Sequence, residues 1–214
     1  MPQLKLIIFD LDGTLTDSLA DLTAATNRMR RRFGRVEFSP EQVRQLVGQG
    51  SRNLVERALP GASAEEIEQG LGVFLAYNDA HIADKTRLYP GVAETLVALQ
   101  GRGKQLAVIS NKNVALCRKL LAVLRADGYF AAILGADSLP FRKPSPEPVL
   151  KLLADFGVSP QQAMLVGDSI NDIAAGNGAG VVTVGCSYGY GDAVELSGAD
   201  YRIDTFAGLL ELSL

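Results

Sequence analysis

Tryptophan is absent from this 214-residue chain, histidine occurs once, at His81, and cysteine twice, at Cys117 and Cys186. Two cysteines make no disulfide framework, and neither has a histidine or second cysteine at a zinc-binding spacing. Reduced thiols in a cytoplasmic protein are the expectation. His81 reads as a partly exposed structural residue rather than a catalytic base. Neither sign of charge dominates: 21 Lys and Arg stand against 24 Asp and Glu, a net charge of −3. That balance gives no electrostatic reason to bind nucleic acid or an anionic membrane, which leaves small-molecule partners and a monomer or homodimer. Long apolar runs are missing too. The first, at 6–9, stops at Asp10 and is too short for a signal segment or a membrane span, so it reads as a buried strand. Internal repeats and low-complexity tracts are also lacking.

What is present is enough apolar material, 47%, for one substantial core and a smaller second domain. Short apolar runs at 6–9, 106–109, 164–166 and 181–184 each end in polar or glycine residues and alternate with helical stretches. This predicts an α/β fold, a doubly wound parallel sheet with crossover helices. Val92, Leu96 and Leu99 mark one helix, and Ser145-Pro146 and Ser159-Pro160 pair an N-cap with a first-turn proline at the start of two more. The interval 17–84 differs, being amphipathic and helical without a convincing strand. Leu22, Ala25, Met29 and Phe33 form a stripe, and Ser39-Pro40-Glu41-Gln42 and Ser63-Ala64-Glu65-Glu66 fit capping boxes. An all-α insertion of about four short helices is predicted. The division is 1–15 and 88–214 for the α/β core and 16–87 for the insertion. Strand one precedes the insertion and the other strands follow it, so it projects from the C-terminal edge of the sheet, where open α/β sheets bind ligands. Arg28, Arg30, Arg31, Arg32 and Arg35 read as a solvated helix face.

Four separated elements place polar residues at that rim: Asp10-Leu11-Asp12-Gly13-Thr14, Ser110-Asn111, Arg142-Lys143-Pro144 and Gly167-Asp168-Ser169-Ile170-Asn171-Asp172. Singly each has a plain explanation: Ser110 as a helix cap, Lys143 as a loop lysine, Asp172 as a helix-surface acid. Jointly they describe a site. Asp10, Asp168 and a backbone carbonyl offer the oxygen ligands that suit Mg²⁺, and Asp172, one helical turn beyond Asp168, is placed to hold a metal-bound water. Tyr188-Gly189-Tyr190-Gly191 lacks the spacing of a dinucleotide loop and reads as a structural turn near the site.

In order and spacing these motifs resemble the four motifs of haloacid dehalogenase superfamily phosphatases, and the insertion resembles their helical cap. The resemblance spans essentially the whole chain. It implies that Asp10 is the nucleophile that becomes an aspartyl phosphate, Asp12 the general acid and base, and Ser110 and Lys143 the phosphoryl clamp. It further implies that Asp10, Asp168 and the Asp12 carbonyl hold Mg²⁺, with Asp172 in support. Counting Asp10, Asp168 and Asp172 against the metal and Lys143 gives neutrality only if Asp12 carries a proton, so Asp12 is expected to begin as an acid. Within the superfamily, phosphonatases need a cap lysine, for which the sequence offers only Lys85 at the cap exit. Beta-phosphoglucomutases carry a histidine where Leu22 stands, and dehalogenases lack the counterpart of Asp12. Phosphate-ester hydrolysis remains. Residues 47–59 resemble the cap loop of phosphoglycolate phosphatases, which implies that Gly50, Ser51 and Asn111 line the substrate and that Arg52 pairs with its carboxylate. Pyrophosphatase, sugar phosphatase, nucleotidase and mutase-like activities stay open. A phospho-accepting signalling module is the non-enzymatic alternative, which the cap disfavours.

Overall fold

A computed structural model describes residues 4–212 of the chain. All four residues of β1 (Leu6–Phe9) are apolar and buried, because the strand lies inside a parallel sheet covered on both faces. The sheet runs β5 (Ala132–Leu134), β4 (Gln105–Ile109), β1, β6 (Ala163–Gly167), β7 (Val182–Cys186), β8 (Tyr201–Ile203). Side-chain alternation sorts the core into two layers. Ile7, Phe9, Val108 and Val166 share one layer with α5 (Val92–Gly101) and α6 (Val114–Val123). Leu6, Ile8, Ala107 and Leu165 share the other with α7 (Glu147–Phe156) and α8 (Ile170–Ala179).

Register then places the site. Phe9 lies opposite both Val108 and Val166, so Asp10, Ser110 and Asp168 leave their strands at one rim. The chain passes from β1 to β4 and β5 on one side and returns to β6 on the other. A crevice opens above the sheet where the direction of winding reverses.

Between β2 (Thr16–Asp17) and β3 (Arg87–Leu88) lie α1 (Leu19–Arg32), α2 (Pro40–Arg44), α3 (Ser51–Ala58) and α4 (Ala64–Ala80). These helices bury an apolar cluster of their own that includes Leu22, Met29, Leu54 and Phe74. Both expected capping boxes form, Ser39 with Gln42 and Ser63 with Glu66. The two linkers pair with each other as an antiparallel ribbon, Thr16 opposite Leu88, so the insertion joins the core through a short ladder rather than two loose strings.

Three readings need correcting. Strands β5 and β8 escaped detection because each has three residues at a sheet edge, too short and too exposed to leave an apolar run. Ser159-Pro160 starts no helix: three residues of tight turn, 160–162, lead straight into β6. Arg30 is not on a solvated face, since its Nε donates to the Val36 carbonyl at 2.6 Å and its guanidinium lies 3.5 Å over the Phe38 ring. Among the described residues no helix is long and apolar enough to cross a membrane.

Candidate active site

Asp10 continues β1 by one residue, its N–H donating to the Val166 carbonyl at 2.9 Å. The turn that follows, Leu11 to Thr14, needs glycine at position 13: φ is +94°, and a Cβ there would run into the Asp168 carboxylate. Asp168, at the end of β6, accepts from Thr14 Oγ1 at 2.8 Å and from the Tyr190 N–H at 2.7 Å. Asp172 stands in the first turn of α8, where Ser169 N–H and Oγ donate to it at 3.1 and 2.7 Å and the helix N-terminus favours its charge. Lys143 Nζ lies 2.6 Å from Asp172 Oδ1 and 2.7 Å from Asp10 Oδ1. The second contact is an ion pair without hydrogen-bond geometry, so Asp10 Oδ1 is a buried oxygen that accepts no hydrogen bond.

Carboxylate oxygens of Asp10, Asp168 and Asp172 gather within 4.8 Å of one another, all three residues buried. Two carboxylates at that distance repel by about 3–4 kcal/mol at an effective dielectric near 20. Burial, with the charges of Asp10 and Asp172, pushes Asp168 up to about 8. Burial also raises Asp10, to about 6, against the opposing pull of Lys143. Lys143 itself is penalised by burial, yet Asp10 and Asp172 outweigh this and hold it above the ordinary lysine range. Three carboxylates against one ammonium leave two negative charges, the amount a divalent cation cancels. The all-oxygen donor set, with an Asp10 oxygen that accepts no hydrogen bond, fits a hard ion such as Mg²⁺.

Asp12 has a partner the sequence reading missed. Lys112 Nζ lies 2.9 and 3.2 Å from its two carboxylate oxygens, with both side chains largely buried. The charge tally that asked for a proton on Asp12 left out this lysine; with Lys112 counted, neutrality no longer requires it. The available signal was position, since Lys112 follows Ser110-Asn111 directly.

Two spaces meet at Asp10 and Asp12. The inner one, about 50 Å³, is lined by Gly50, Ser51, Asn78, Ser110, Asn111 and Lys112 together with the apolar Leu22, Leu54 and Phe74. The outer one, about 460 Å³, is bordered by Arg44, Asp168, Tyr190 and Glu195. Asn111 also braces the insertion, its Nδ2 donating at 2.8 Å to both the Gly48 and Lys143 carbonyls. Gly50 comes close enough to the Asn111 backbone that a Cβ would sit 3.1 Å from its carbonyl oxygen. Arg44 crosses from α2 to donate to the Gly189 and Tyr190 carbonyls, each at 2.8 Å, so the tyrosine-glycine turn is the landing point of the insertion.

Arg52 is the sequence-predicted residue that the structure does not bring to the site. A helix turns 100° per residue, so Ser51 lines the cavity while Arg52 swings toward α4, where it pairs with Glu68 at 2.5 Å, half exposed.

The sequence pattern of haloacid dehalogenase-like hydrolases matches residues 7–186. Phosphoglycolate phosphatase 1 of Pseudomonas aeruginosa is 43% identical over 193 residues, covering 87% of this chain and 70% of that one. Phosphoglycolate phosphatase of Chromobacterium violaceum is 38% identical over 217 residues, 99% of this chain and 97% of that one. A crystal structure from Haemophilus somnus, described as a predicted phosphoglycolate phosphatase, superposes with a TM-score of 0.95 at 36% identity over the full length of both chains. With a doubly wound sheet, three rim carboxylates around a buried lysine and relatives of this closeness, the chain belongs to the haloacid dehalogenase-like hydrolase family.

Proposed function

We propose that the protein is a Mg²⁺-dependent phosphatase that hydrolyses 2-phosphoglycolate, or a phosphorylated metabolite of similar size, through an aspartyl phosphate on Asp10. The observation that carries the size argument is the inner cavity of about 50 Å³ beside Asp10 and Asp12, room for a leaving group of a few heavy atoms. The names of the close relatives support the same substrate.

In the first half-reaction an Asp10 carboxylate oxygen attacks phosphorus, the bond from phosphorus to the ester oxygen breaks, and Asp12, which enters the cycle with the proton that the second half-reaction restores to it, delivers that proton to the ester oxygen. In the second, Asp12, as a carboxylate paired with Lys112, takes a proton from a water that attacks the phosphorus of the aspartyl phosphate. Inorganic phosphate leaves and Asp10 is restored. Lys143, locked between Asp10 and Asp172, neutralises charge on the transferring group, and Ser110 donates to one of its oxygens. Mg²⁺ held by Asp10, Asp168 and the Asp12 carbonyl, with Asp172 in support, would supply Lewis-acid cancellation of the charge between nucleophile and phosphate. Helices α1–α4 act as a lid that admits substrate and excludes bulk water. Arg44 and Asn111 hold it shut.

Phosphate release from 2-phosphoglycolate, sugar phosphates, nucleotides and pyrophosphate, with Mg²⁺ or EDTA and with Asp10→Asn as the blank, tests this. Metal-dependent turnover dominated by 2-phosphoglycolate is expected. Even turnover across the panel would remove the substrate assignment, and none at all would remove the mechanism.

A further inference from the structure

A small substrate with a carboxylate beside its phosphate brings a second negative charge into a space already bordered by Asp10 and Asp12. Something positive has to meet it. Arg52 is spent on Glu68, Lys143 is enclosed by Asp10 and Asp172, Arg44 donates to backbone carbonyls in the outer space, and Arg142, whose guanidinium lies beside Gly50, is exposed and stands outside the inner cavity. Among the described residues, the one cationic side chain lining the inner cavity is Lys112.

We propose that Lys112 is a specificity residue that reads the carboxylate of the leaving group, an assignment that rests on the 2-phosphoglycolate reading above. An ammonium has three N–H donors, and Asp12 takes two, one to each oxygen at 2.9 and 3.2 Å. The third is free for the substrate. Connectivity sets the reach: Asp12 must touch the ester oxygen to protonate it, and in 2-phosphoglycolate the carboxylate carbon is two bonds from that oxygen. A carboxylate there lies beside the group that holds Asp12. The side chain of Lys112 is 8% exposed, so little water competes for the contact. Across the same cavity α3 begins at Gly50, which has no side chain to cap the helix, so the uncapped N-terminus adds positive potential at this end of the cavity. Leu22, Leu54 and Phe74 give the same cavity an apolar side. One lysine thereby aligns the acid/base group and selects the acid-bearing substrate.

The test compares kcat/KM for 2-phosphoglycolate with kcat/KM for ethyl phosphate, which keeps the two carbons and lacks the carboxylate. The wild-type enzyme is expected to prefer 2-phosphoglycolate. Lys112→Gln should lower both values through Asp12 and should further lower their ratio by about 10- to 100-fold, the scale of a lost charge-assisted hydrogen bond, chiefly through KM for 2-phosphoglycolate. Lys112→Arg should restore part of the ratio, and Lys112→Met substitutes if the glutamine variant does not fold. An unchanged ratio, with both activities falling together, would overturn the carboxylate role and leave the phosphatase reading intact. A wild-type enzyme without the preference would overturn the substrate reading and this assignment together.

Discussion

The Asp21 carboxylate, near the start of α1, accepts hydrogen bonds from the Thr86 N–H at 2.8 Å and the Thr86 hydroxyl at 2.7 Å, 65 positions further on. The Lys85 N–H joins them at 3.0 Å. One buried acid thus ties the departure of the helical insertion to its return. Asp21→Ala leaves these donors unpaired and should cost about 2–4 kcal/mol, read as a fall in the urea midpoint. A loss near zero would mean that the β2·β3 ribbon holds the junction alone.

The rim carboxylates predict how metal and pH combine. Asp168 and Asp10, pushed up to about 8 and about 6, both lie above the ordinary aspartate value of 3.8. The folded, metal-free protein therefore binds more protons than the unfolded chain over this interval, and its stability falls as pH rises from about 4 to about 8. Mg²⁺ bound there would offset that repulsion, so the Tm increment from Mg²⁺ over EDTA should grow with pH across the same interval, by about 2–4 °C for each kcal/mol relieved. Thermal denaturation near pH 5.5 and near pH 8.5 gives the comparison. Asp168→Asn should flatten the dependence, and an increment that shrinks with pH would count against this account.

Arg44→Ala removes two donors that cross from the insertion to the turn at 189–190. The lid should then open more readily, with KM for the substrate rising a few-fold and the radius of gyration by small-angle scattering increasing in the substrate-free protein. An unchanged scattering profile and KM would show that Arg44 is not a latch.

Arg52→Ala tests the reading that the structure displaced. With its guanidinium engaged by Glu68 on an exposed face, the preference for 2-phosphoglycolate over ethyl phosphate should stay as in the wild type. A selective rise in KM for 2-phosphoglycolate would instead return Arg52 to the substrate and argue for a rearranged α3.

The acids at the strand ends were legible because a buried strand that stops at a carboxylate is an event within the local sequence. Asp10 after four apolar residues and Asp168 after an apolar strand advertise themselves. Lys112 did not, since a lysine beside a loop is ordinary until the sheet brings it against an acid 100 positions away. Arg52 lies away from the cavity for the opposite reason. It looked placed by its loop, yet its direction depends on where α3 begins, and a shift of one residue turns a side chain by 100°. The four helices of the insertion were readable from caps and stripes, whereas β5 and β8, short and at the edges, had no pattern to show.

The carbonyl of Gly48 accepts from two asparagines of the core, Asn111 at 2.8 Å and Asn171 at 3.4 Å. Both bonds fall on backbone, so they depend on the path of the chain at Gly48, whose φ of +103° favours glycine, and not on the side chains beside it. Ser51, which lines the inner cavity and stands outside the buried cluster of the insertion, is therefore free to change without unfastening these two bonds. At this loop the fastening falls on the Gly48 carbonyl while position 51 faces the cavity, so a lineage, or an engineer, can retune the substrate there and leave that fastening in place.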